Sequence, residues 1–242
     1  MILANVRASL GRDDAQLATR LLARAVGEDV EAVESRLRDE GFDAVLDDPR
    51  LVAAIKRSSL GAHTSYPLFC YVVVRHALRS VGENDRVLSD YVASIMLHFG
   101  LRDAFTRVSA TDDEQYDTLA ALVEDVDGPD ARRNFLVRAH LGNYALWMSG
   151  LFPDYIEHRR WRRGGPPLDY YEDLGRRGFQ LAADHRLARE HGLNDLYHDA
   201  ADRFGALRVA LNRLSDTMLF PNNNSPDRLM RQVRDESRWR VA

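Results

Sequence analysis

Between Asp130 and Leu151 the chain reads DARRNFLVRAHLGNYALWMSGL, and this stretch is apolar on almost every side. At about 3.6 residues per turn, Leu136, Val137, His140, Tyr144, Trp147 and Leu151 share one face, while Phe135, Ala139, Gly142 and Leu146 cover the opposite one. A helix of this kind has no solvent face to offer, so in a chain without a membrane span it must be enclosed by other helices. The expected architecture is therefore all-α, a multi-helix bundle with this segment as a central helix. Past Arg138 its only strongly polar side chains are His140 and Asn143.

Helix punctuation supplies the rest of the framework. Leu17, Leu21, Leu22 and Val26 keep helical spacing from Asp13 until Gly27, and Val30, Val33 and Leu37 do so from Asp29 to Glu40, before Gly41. This hairpin has the small residue, turn glycine and buried aliphatic of a helix-turn-helix at Ala23, Gly27 and Val33. Its second helix begins with Glu28, Asp29, Glu31 and Glu34, however, which would face phosphates, so a packing hairpin is expected instead. A short helix from Pro49 to Lys56 follows.

A second helix apolar on all sides, YPLFCYVVV onward, is expected over 66–81, with Arg75 requiring an internal carboxylate or the end of the bundle. The next spans 84–99, with Asp90, Ser94 and His98 in one polar stripe that reads as an exposed edge. Thr111 and Glu114 form a capping box for a helix to about Val126. Beyond the central segment come a short arginine-rich helix after Pro153, a long helix from Asp169 to Glu190 and another from Asn194 to Leu219. In the long helix after Asp169, Gly178 allows close approach of a neighbour. A polar loop and basic tail, 222–242, end the chain; the pattern leaves the tail's helical extent open and offers Trp239 to dock it.

No segment alternates apolar and polar residues with β-branched enrichment, so no sheet is expected. The sum is about ten helices, five of them long, around two buried apolar ones. Residues 1–60 form an N-terminal helical appendage, 61–221 the main bundle and 222–242 the tail.

Composition narrows the function classes. With 45% hydrophobic and 29% charged residues the 242-residue chain is globular, and a net charge of −4 argues against a dedicated polyanion binder. Cys70, the single cysteine, excludes an internal disulfide and thiolate-rich metal sites. Met1 does not open a signal peptide, and no apolar run is long enough to span a bilayer; a soluble cytoplasmic protein is the expectation. Lys56 is the one lysine among 33 basic residues, a bias spread over the whole chain from which no site follows.

Chemical motifs are sparse. No histidine has a glutamate three residues before it, as carboxylate-bridged di-iron bundles require, and Asp195 with His198 has only the spacing. The DDEQYD run at Asp112–Asp117 is aspartate-rich like the magnesium signature of prenyl-diphosphate enzymes, but it has no second acidic motif and a cap explains it. P-loop, dinucleotide and nucleophile-elbow fingerprints are absent, so no metal and no cofactor is expected.

Two constellations remain. His140, Asn143 and Tyr144 on the central helix, with Asp184 and His185 on the next long one, form a candidate polar pocket. Arg159, Arg160, Arg162 and Arg163 around Trp161 form a candidate nucleic-acid or anion contact. The leading functional expectation is an interaction protein, an adaptor or self-associating chain whose partner is itself or another protein. An enzyme or small-ligand protein acting near His140 is the alternative, and nucleic-acid contact through 159–163 the third reading.

Overall fold

The computed structural model describes residues 1–57, 59–101, 106–108, 115–116, 118–128 and 130–239. Among them every regular element is helical. Fifteen α-helices form, eleven of them of seven residues or more: α1 Val6–Ser9, α2 Arg12–Val26, α3 Val30–Glu40, α4 Phe42–Leu46, α5 Pro49–Arg57, α6 Tyr66–Arg79, α7 Arg86–Gly100, α8 Leu119–Glu124, α9 Ala131–Leu151, α10 Pro153–Arg163, α11 Leu168–Ala183, α12 Arg186–Glu190, α13 Asn194–Asp202, α14 Phe204–Leu214 and α15 Pro226–Trp239. The all-α expectation holds. Two compact units are formed: one comprises Ile2–Ser80 and Asn84–Leu97, the other Met1, Val81–Glu83 and His98–Ala242. Among the described residues no helix is long and apolar enough to cross a membrane.

In the first unit α6 is the buried helix. Ser65 accepts a hydrogen bond from the Leu68 amide, Pro67 sits in the first turn, and Cys70, Tyr71, Val72, Val73 and Val74 are all enclosed. Its buried Arg75 has the anionic partner that burial demands: Nε and Nη2 donate to the two oxygens of Asp47, and Nη1 donates to the Asn84 carbonyl. Burial pushes the Asp47 carboxyl up, but hydrogen bonds from Arg75 and Arg86 outweigh it and hold the group at about 2. A carboxylate depressed in the folded state stabilises fully above its unfolded pKa and loses that contribution as pH falls through the folded value. Acid titration is therefore expected to cost this unit on the order of 2 kcal/mol between pH 4 and pH 2 through Asp47, and Asp47→Asn to flatten that part of the stability profile, read by urea melts at each pH.

The polar stripe on α7 is not an exposed edge. Asp90 and Ser94 are buried, because the N-terminal segment lies over them: Asp90 accepts the Arg7 amide at 2.8 Å and Ser94 the Asn5 amide at 3.4 Å. The stripe satisfies backbone donors of a short turn whose first amides have no intrahelical partners. His98 alone of the three is exposed.

In the second unit α9 is enclosed by α8, α10, α11, α12 and α14. Asp130 caps it by accepting the Arg132 and Arg133 amides, and fourteen of its 21 residues are buried. Leu136 is only half-buried. Two carboxylates ahead of this helix serve its start, since Asp125 pairs with Arg133 at 2.7 Å and Asp127 with Arg138 at 2.9 Å. The capping box at Thr111 and Glu114 lies outside the described residues. Within them the helix begins only at Leu119, capped by Thr118, which accepts the Ala121 amide.

Both predicted long helices after α10 are interrupted. The first breaks at His185, whose extended backbone lets its Nδ1 accept the Leu187 amide and start α12. The second breaks at Arg203, and beyond α14 the chain widens into a π-helical turn, Ser215–Leu219, closed by the Phe220 amide donating to the Ser215 carbonyl. Neither break carries a glycine or proline, the signals that mark a stop in sequence.

Candidate functional site

The histidine constellation is dispersed. His140, 5% exposed, lies between the rings of Phe99, edge-on at 5.4 Å, and Tyr144, stacked at 6.4 Å, and Asn143 and Tyr144 are buried with it. Asp184 points to solvent at the end of α11, 3.8 Å from the exposed His198, and His185 stacks on Phe135 while capping α12. Burial lowers the His185 pKa, with nearby Arg138 acting in the same direction. The break after Ala183, which the sequence did not signal, leaves Asp184 in solvent while His185 stays half-buried against Phe135 of α9. Among the described residues no three His, Cys, Asp or Glu side chains converge to hold a metal ion.

The arginine cluster occupies the C-terminal half of α10. Trp161 is 69% exposed, the Arg160 guanidinium sits 5.5 Å over its ring and 3.6 Å from Glu157, and Arg162 and Arg163 are exposed while Arg159 is half-buried. Tyr155 and Trp161 border a groove of about 650 Å³ whose other wall is Asn223, Ser225, Pro226 and Asp227, at the start of α15.

That last helix is built the wrong way round for a surface helix. Arg228, Arg231 (1% exposed) and Asp235 face inward, whereas Leu229, Met230 and Val233 are 53%, 63% and 63% exposed. The inner face is held by charge. Arg228 donates to both Asp154 and the Phe220 carbonyl, and Arg231 bridges Asp154 at 3.2 Å and Asp216 at 2.9 Å. Gln232 adds a third donor to Asp216. The π-helical turn positions Asp216 for this, and the first turn of α10 supplies Asp154. Burial raises the Asp154 pKa, but Arg228 and Arg231 together draw it below the usual carboxylate range.

Farther along, Arg208 of α14 is buried between Glu172 of α11 at 2.9 Å and Asp235 of α15 at 3.0 Å, and donates to Asn212. Asn212 in turn donates to the Ser149 and Gly150 carbonyls, and Ser215 to the Leu151 carbonyl. These are last-turn carbonyls of α9, which lack intrahelical partners, so one polar relay ends the central helix and anchors α15. The sequence carries a signal for this helix: Pro226, Leu229, Met230 and Val233 keep helical spacing within the basic tail. No family model, curated protein or solved structure matches this chain.

Proposed function

We propose that the protein is a self-associating interaction module whose contact surface is the outward face of α15, with a second copy of the same chain as its occupant. The observation that carries this is the inversion of α15: charges hold its inner face while Leu229, Met230 and Val233 stand in water. Full burial of such side chains stabilises a contact by about 1.5–3 kcal/mol each. Tyr155, Trp161 and Phe220, all exposed on the same unit, extend the apolar surface available to a partner.

Charge pattern favours a second copy. Asp227 and Arg234 flank the apolar stripe on one side, seven residues apart, and both are exposed. When two such helices pair antiparallel, with Met230 of one against Val233 of the other, that flank meets itself. Asp227 of each copy then lies near Arg234 of its mate. The ring enclosure of His140 supports a packing role for that residue within this reading.

Sedimentation velocity over a concentration series is expected to show a monomer–dimer equilibrium. Met230→Glu with Val233→Glu is expected to weaken it about 100-fold, near 3 kcal/mol, with the melting temperature unchanged. Asp227→Arg weakens it too, and Asp227→Arg with Arg234→Asp restores it. A wild type that stays monomeric throughout, or a dimer indifferent to all four substitutions, would refute the proposal.

A further inference from the structure

A second group of like charges lies in the other unit, between α2 and α5. A groove of about 550 Å³ there is lined by Leu21, Arg24, Ala25, Arg50, Ala53, Ala54, Arg57 and Ser59. Three arginines line it, and among the described residues no carboxylate does. Arg50 is held by a two-point pairing of its Nε and Nη2 with Asp48, at 2.9 and 2.7 Å, which fixes the guanidinium and leaves its Nη1 donors for a ligand. Neither Arg24 nor Arg57 has a carboxylate partner among the described residues, whereas the enclosed arginines of this unit and of the other, Arg75, Arg208, Arg228 and Arg231, all do.

The floor differs in kind from the rim. Leu21, Ala25, Ala53 and Ala54 supply short apolar side chains to the same groove as the cations. The volume falls in the range of small-molecule sites, and the pairing of an apolar floor with a few fixed polar groups is their usual composition. Guanidinium forks match tetrahedral oxyanions through paired N–H donors, and like charges gathered over low-dielectric walls raise the local attraction for anions.

We propose that this groove binds a phosphate monoester carried on an apolar body, the phosphate held by Arg24, Arg50 and Arg57 and the apolar part resting on the alanine floor. Two sources share that chemistry, a soluble aryl or alkyl phosphate and a phosphomonoester lipid headgroup. The groove and α15 share no residue and belong to different compact units, so the proposal stands independently of self-association.

The test uses the full chain at physiological ionic strength. Phenyl phosphate is titrated by isothermal calorimetry and thermal melts, beside inorganic phosphate and phenol, against wild type and against Arg24→Ala with Arg57→Ala. Because both arginines are exposed and unpaired, the double variant should keep the wild-type circular dichroism and melting temperature. Saturable binding is expected for phenyl phosphate, weaker for inorganic phosphate and none for phenol, with a loss of about tenfold or more in the double variant. Arg186→Ala with Arg189→Ala, which removes exposed cations elsewhere, should change nothing. Co-sedimentation with phosphatidic-acid vesicles but not phosphatidylcholine vesicles, lost in the same double variant, would support the site and assign its source to lipid. Binding unchanged in the double variant, no saturable binding by either source, or tighter binding of a single-stranded oligonucleotide than of phenyl phosphate would overturn it.

Discussion

Gly178→Ala is expected to destabilise the C-terminal unit by about 3 kcal/mol, although alanine is the better helix former by about 1 kcal/mol. The sign comes from packing. A Cβ at Gly178 would stand 2.7 Å from the Gly142 amide nitrogen and 3.0 Å from the Arg138 carbonyl, both backbone atoms that no rotamer change can move. Gly142 and Gly175 belong to the same close crossing of α9 and α11: a Cβ at the first would meet Phe179 at 2.4 Å, and one at the second would meet Phe204 at 2.3 Å. Relief would require the two helices to separate, opening voids along a densely packed interface. Urea denaturation checks the value. A stabilised Gly178→Ala protein would mean that helix propensity outweighs the clash and that the crossing is looser than the distances imply.

The second large effect is at Arg208. Arg208→Ala is expected to cost about 3–5 kcal/mol, because it strands Asp235 in an enclosed site and leaves Glu172 only the more exposed Arg176 as a cation. Burial raises the Glu172 pKa, while Arg208 and then Arg176 draw it below the ordinary range, so the carboxylate is ionised and losing its buried cation is costly. Replacing all three members by methionine should cost less than the single change, since a buried ion network is no more stable than well-packed apolar groups of similar size. Denaturation of both variants separates pairing from packing. Limited proteolysis gives an independent readout, because Arg208→Ala should also release α15 for cleavage while the triple variant protects it. Equal stability of wild type and Arg208→Ala would remove the polar relay from the account of how α15 is held.

Periodicity was enough to determine the helical class, the enclosure of α6 and α9 and the close approach at Gly178, because each follows from local geometry. A helix apolar on both faces needs neighbours on both faces, and a glycine in a helical stripe marks a place where backbones can meet. The ends of α2, α3 and α10 were legible for the same reason: Gly27 and Gly164 adopt the left-handed conformation that stops a helix, and Gly41 has a positive φ of 84°.

What only the tertiary structure decided are the features made by residues far apart in the chain. The breaks at His185 and Arg203 follow no glycine or proline, and the first of them leaves Asp184 in solvent. Asp90 and Ser94 look like an exposed edge until the amides of Asn5 and Arg7, over eighty residues away, arrive to need them. The orientation of α15 is the clearest case. Its apolar spacing would place Leu229, Met230 and Val233 inward by the usual rule. Asp154 and Asp216 reverse this, because fixed carboxylates on α10 and the π-helical turn reward burial of Arg228 and Arg231 more than an already filled core rewards three further aliphatic side chains. Hydrophobic pattern is a property of one helix; which face turns inward depends on what the neighbouring surface lacks, and that is known only once the chain has folded.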